Sequence, residues 1–108
     1  MMMLRSVIIR PETLRDLARV ARSIGTTVSA KSAMRWRMRV EFAIRSLAND
    51  AEQWPEADEA ALLGLNWRCR SVGRRPHVYR ILFTFDDACV DVFKIRHASQ
   101  DYITENDL

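Results

Sequence analysis

Apolar positions along the chain change period once, near residue 64, and that change divides the elements the sequence predicts. Residues 3–9, with Val7-Ile8-Ile9, read as a short strand, and Pro11 then stands where a first helical turn tolerates it. Leu14, Leu17, Ala21 and Ile24 recur at three and four, the period of a helix with one apolar face, and Gly25 marks its end. Thr26-Thr27-Val28-Ser29 offers several N-caps for a second helix. From Ala30 to about Ala51 that helix carries a stripe of Ala33, Trp36, Val40, Ala43, Ile44, Leu47 and Ala51. Two helices joined by so short a connection form an antiparallel hairpin.

Beyond Gly64 the period drops to two. Leu65 to Val72 alternates apolar and polar, Gly73-Arg74-Arg75-Pro76 is a turn, and His77 to Phe85 is a strand with Tyr79, Ile81, Phe83 and Phe85 on one face. Asp86-Asp87 reads as a hairpin turn before a last strand from Ala88 to His97. Within that strand Asp91-Val92-Phe93-Lys94 breaks strict alternation, which predicts either a bulge or apolar cover on both faces. The order is β-α-α-β-β-β: an α+β fold in which a helical hairpin packs on one face of a small, mainly antiparallel sheet. All 108 residues fit a single domain, 1–108. The sheet's other face is expected to be partly open, with Arg80 placing a cation on it.

Composition changes this picture in one respect. Residues 1–48 carry ten Arg and Lys against three Asp and Glu, whereas 49–63 hold five acids and no base. The acidic stretch around Pro55 reads as a solvated connector ending in a helical turn through Ala60-Ala61-Leu62. The bases of the last third, Arg68, Arg70, Arg74, Arg75, Arg80, Lys94 and Arg96, are nearly all Arg, the side chain suited to bidentate contacts, and point to an anionic partner. No apolar run approaches the roughly 18 residues of a membrane span, and the short apolar start does not read as a signal peptide, so a cytoplasmic location without membrane contact is expected. Cys69 and Cys89 show no CxxC spacing and read as half-buried strand thiols rather than a disulfide or metal site. Trp36, Trp54 and Trp67 fit core or staple positions.

With these elements in place, specific strings resemble the RelE/ParE toxin superfamily of type II toxin–antitoxin systems, the plasmid-stabilisation toxins. The closest run is Tyr79-Arg80-Ile81-Leu82-Phe83-Thr84-Phe85-Asp86-Asp87, followed by Val90 to Asp101, which is similar to the family's "YRIxY" strand, acidic turn, "VxVLxVRH" strand and closing "xxxD". Val7-Ile8-Ile9-Arg10-Pro11-Glu12 resembles its opening strand and helix start, and Phe42 to Leu47 with Trp54-Pro55 its second helix and connector.

The resemblance implies a toxin that arrests growth by blocking translation or replication and is neutralised by a cognate antitoxin, with no cofactor and no metal. Two targets are known for the superfamily. RelE-like members cleave mRNA on the ribosome as metal-independent endoribonucleases; ParE-like members inhibit DNA gyrase without chemistry. RNA cleavage through the 2′-hydroxyl needs a base, an acid and charge stabilisation at the phosphate. Arg80 matches the central-strand arginine of the RelE-like set and His97 is the titrating group of this region, so these two are the catalytic candidates. Arg68, Arg70, Lys94 and Arg96 are the candidates for binding nucleic acid or another target. Where RelE-like chains carry a base after the last strand, this one has Ala98-Ser99-Gln100. Tyr102 is expected to pack or lie in a tail, and Asp101 to cap or to pair with a strand arginine such as Arg96. The target, and a third alternative of a non-toxic basic RNA-binding protein, stay open at this point.

Overall fold

The computed structural model describes residues 4–74 and 77–99. The element order is β1 (Ser6–Ile9), α1 (Pro11–Thr27), α2 (Ala30–Asp50), a 3-10 turn (Ala51–Gln53), α3 (Asp58–Leu63), β2 (Arg68–Val72), β3 (Tyr79–Phe85) and β4 (Cys89–His97). One four-stranded sheet has the order β1-β4-β3-β2. The three C-terminal strands form an antiparallel meander, and β1 joins its edge parallel to β4. The expected fold is therefore present. The turn residues Arg75 and Pro76, and the tail with Gln100, Asp101 and Tyr102, lie outside the described residues.

Local chemistry accounts for most boundaries. Pro11 opens α1, and Ser29 caps α2, its hydroxyl accepting from the Ser32 amide at 3.0 Å. The first helix does not stop at Gly25 but runs to Thr27, where the Thr26 and Thr27 hydroxyls donate back to the Ser23 carbonyl. Its buried face also sits slightly differently from the expected stripe. Thr13 and Leu17 are buried and Val20 packs on the core, while Leu14 is exposed. On α2 the predicted stripe holds: Trp36, Val40, Ala43, Ile44 and Leu47 are all buried. They meet Ile81, Phe83, Val90, Val92 and Ile95 from the sheet in one continuous core.

The irregularity in the last strand is a bulge. Leu82 is opposite Lys94 but Phe83 is opposite Val92, so Phe93 is the extra residue. The insertion shifts the side-chain phase, allowing both Val92 and Ile95, three apart, to face the helices. Phe93 is sent to the opposite face. There it packs with Trp67, ring centroids 4.8 Å apart, and with Ala57, Leu82 and Cys69 in a second small cluster.

That cluster corrects the expectation of a partly open face. The connector folds back under the sheet: the Cys69 amide donates to the Pro55 carbonyl, the Ala57 amide to the Trp67 carbonyl, and Glu56 makes a bridge with Arg68. The sheet is thus covered by the hairpin on one side and by the 55–67 segment along part of the other. Among the described residues no helix is long and apolar enough to cross a membrane.

Two turns hold the meander. Asp86 accepts from the Ala88 and Cys89 amides through one carboxylate oxygen, and these bonds keep its acidity above the ordinary range for an aspartate. Gly73 sits at φ +102°, and a Cβ there would come within 2.3 Å of the His77 carbonyl oxygen. Gly73→Ala is accordingly expected to destabilise the fold by about 1–3 kcal/mol, read as a lower urea midpoint at unchanged slope. A shift of only a few tenths would show that the turn relaxes freely.

Candidate functional site

Strand alternation decides where the candidate residues go. Tyr79 and Ile81 face the helices, so Arg80 between them faces away, paired across the sheet with Ser71 on β2 and Arg96 on β4. Lys94, opposite Leu82, shares that face. Arg68 and Arg70 stand opposite Phe83 and Ile81, which puts them on the helical face instead. His97 is opposite Tyr79 and is also on the helical face. The six candidates are therefore split between the two sides of the sheet, three on each.

Arg80 is not on an open surface. It is 8% exposed, and α3 lies over it with Glu59, whose side chain is wholly buried. The guanidinium forks onto both carboxylate oxygens, Nη1 to Oε2 at 3.0 Å and Nη2 to Oε1. The hydrogen bonds to Glu59 lift the Arg80 pKa further above its ordinary value, outweighing the opposing effect of burial. The acidic connector is thus more than a solvated linker. One of its carboxylates is the buried counter-ion of the central-strand arginine. A cleft of about 330 Å³ borders the pair, lined by Pro55, Ala57, Asp58, Cys69, Ser71 and Arg80 among others. Burial pushes the Cys69 thiol up, so the sulfur there is held as the neutral thiol.

The other arginines are engaged as packing groups. Arg68 donates to the Trp54 carbonyl at 2.8 Å and lies over the Phe85 ring; Arg70 lies over the Trp54 ring at 4.4 Å. Burial lowers the Arg70 pKa from its ordinary value. Trp54 in turn donates its indole N–H to Asp50. These contacts clip the β2 edge to the end of α2, as expected of Trp54 as a staple. Arg96 has a buried Nε without a hydrogen-bond partner among the described residues.

His97 closes an aromatic series, edge-on to Tyr79 at 5.1 Å, which is edge-on to Trp36. Its Nδ1 accepts from the Ser99 amide at 3.0 Å and lies 2.6 Å from the Ser99 hydroxyl. In the neutral ring that bond leaves the proton on Nε2. A shallow groove of about 270 Å³ runs beside it between α1 and the sheet, with Arg19, Ser23 and Tyr79 in its walls. Cys69 and Cys89 are half-buried strand thiols, and among the described residues no three His, Cys, Asp or Glu side chains cluster as a metal site would.

A helical hairpin on a mixed β1-β4-β3-β2 sheet, with Arg80 near the start of the interior strand β3, is the layout expected of the RelE/ParE type. Family comparison places the chain within it: the family described as "ParE toxin of type II toxin-antitoxin system, parDE" matches residues 7–102, and the chain belongs to that family. It is thus a toxin of the type II class. Among solved structures it is similar to a chain of the "Chromosomal ParDE TA system from P. aeruginosa", with a TM-score of 0.66 at 12% identity. That match covers 87% of this chain and 96% of the other, and it supports the fold. No curated protein matches the sequence at a significant level.

Glu59 was missed in the sequence. Its only signal is its place beside apolar Ala57 and Ala60 in a short helix, where an inward turn demands a cationic partner. A buried pair of this kind is costly to break and nearly neutral to replace whole. Arg80→Met alone should therefore lower stability by about 3–5 kcal/mol. Arg80→Met combined with Glu59→Leu should recover most of it in chemical unfolding. A single variant within about 1 kcal/mol of the parent would show that the pair is not desolvated.

Proposed function

We propose that the protein arrests growth by binding DNA gyrase rather than by cleaving RNA, acting in the cytoplasm until a cognate antitoxin neutralises it. The observation that carries this reading is the distribution of the candidate residues. Cleavage through a 2′-hydroxyl requires a base, an acid and a phosphate-stabilising cation within reach of one phosphate. Here Arg80 spends its fork on Glu59 beneath α3, while His97, Arg68 and Arg70 stand on the opposite side of the sheet. Arg68 and Arg70 are laid against Phe85 and Trp54, geometry that suits a packed, basic surface. The ParE family assignment supports the same direction, since the resemblance associates ParE-like chains with gyrase.

Under this reading Arg80 is a structural residue, and Lys94 and Arg96 are the remaining bases of its face available to a target. Purified protein should inhibit supercoiling by gyrase at stoichiometric concentration and leave translated mRNA intact on ribosomes. Codon-positioned cuts in mRNA with supercoiling unaffected would establish the ribosomal reading instead. His97→Ala separates the two further. It should leave gyrase inhibition within about threefold of the parent, whereas loss of a general acid or base costs a nuclease on the order of a hundredfold or more.

A further inference from the structure

The two edges of the sheet are finished differently. On β2 the outer edge is met by the connector: the Cys69 amide donates to the Pro55 carbonyl at 3.0 Å, and Glu56 bridges to Arg68. On β1 the Ser6 and Arg10 amides donate inward to the Ala88 and Val92 carbonyls. Backbone polar groups alternate sides along a strand, so the N–H and C=O of Val7 and Ile9 point outward, away from β4. Arg5, the outward residue before them, donates to the Ala48 carbonyl of α2. Among the described residues no hydrogen bond reaches the outward groups of Val7 and Ile9. Both residues are half-buried, whereas Val90 and Val92 across from them are fully buried, so the edge borders solvent.

This edge is complementary to itself. An antiparallel strand of the same sequence, turned about a twofold axis beside Ile8, sets Val7 against Ile9 of the second copy and Ile9 against its Val7. Each such pair exchanges both its N–H···O=C bonds. Ile8 then faces Ile8 at the position between, where side chains of opposed strands stand closest. Ile8 projects on the sheet face away from the helices and is 52% exposed, a β-branched side chain that strand pairing would cover. Charge allows the same register. Ser6 is set against Arg10, so no like charges oppose each other, and Arg10 is held by its own Asp91 at 2.8 Å. Ser6–Ile9 contains neither Lys nor Pro, the residues that commonly keep an edge from pairing.

We infer that the protein self-associates through β1, two copies joining their four-stranded sheets antiparallel about Ile8 into one continuous sheet. A strand of 4 residues contributes a small interface, so the dimer is weak and exchanges with monomer. Such a dimer is independent of gyrase as the target.

The test is a concentration series of the full chain without antitoxin, up to about 1 mM, followed by sedimentation velocity and amide hydrogen exchange. Dimer should appear as concentration rises, and the Val7 and Ile9 amides should gain protection in step with it. The Arg10 amide, already bonded to the Val92 carbonyl, should not change. Ile8→Lys should weaken self-association at least about tenfold and keep the parent's circular dichroism. Leu62→Lys, the same kind of change at an exposed apolar residue of α3, should leave the dimer intact. If Ile8→Lys perturbs the fold, exchange at Val7 and Ile9 in the parent decides the matter. Monomer at every concentration, with those two amides unprotected, would overturn the inference. So would a dimer indifferent to Ile8→Lys, or one whose formation leaves the two amides exchanging freely, because either places the contact elsewhere. Protection of Val7 and Ile9 only on adding the antitoxin would give the edge to that partner and likewise exclude the second copy.

Discussion

A guanidinium and a carboxylate meet out of water beneath a helix of six residues, and much of the molecule's lower face is arranged to make that tolerable. Arg80 lies near the start of β3, an interior strand of the sheet, and its side chain projects under α3, where it is buried. Burying it as a lone cation would cost several kcal/mol. Glu59 removes that cost only if α3 is held over the sheet. The contacts that hold it there are the backbone bonds of Ala57 and Cys69 and the small cluster of Leu82, Trp67 and Phe93. The bulge at Phe93 is part of the same arrangement, because it delivers an aromatic ring to the underside while keeping Val92 and Ile95 in the main core.

This constraint bears directly on function. An arginine that could have been a phosphate clamp already has two oxygens on its fork, supplied by its own chain. The remaining bases are divided by the sheet, and those on β2 are spread over aromatic rings. The candidate bases and His97 therefore do not converge on one point of the surface. The sheet face bearing Lys94 and Arg96 stands out chemically.

Much of the fold was legible along the chain because side-chain periodicity is a local property. The stripe of α2, the Ser29 cap, the face shared by Tyr79, Ile81, Phe83 and Phe85, and the broken alternation at Asp91 to Lys94 could each be read from neighbours a few residues apart. The placement of the candidate residues was only half legible. Alternation did put Arg80 on the face away from the helices. Whether that face was wet depended on a segment about 20 residues away folding back over it, and no local pattern in 52–63 distinguishes a solvated acidic linker from a strap carrying a counter-ion. Likewise Arg68 and Arg70 share a face with each other, but which face follows from the β2–β3 register, set between strands and not within one.

The chain by itself thus determined the elements, their order and the family, since hydrophobic period, turn residues and strand motifs are written in consecutive positions. The tertiary structure decided which charges are paired, which are spread on aromatic rings and which stay available. Desolvation is the reason: the ionic state and reach of a side chain depend on what lies over it, and here the covering segments come from distant parts of the sequence.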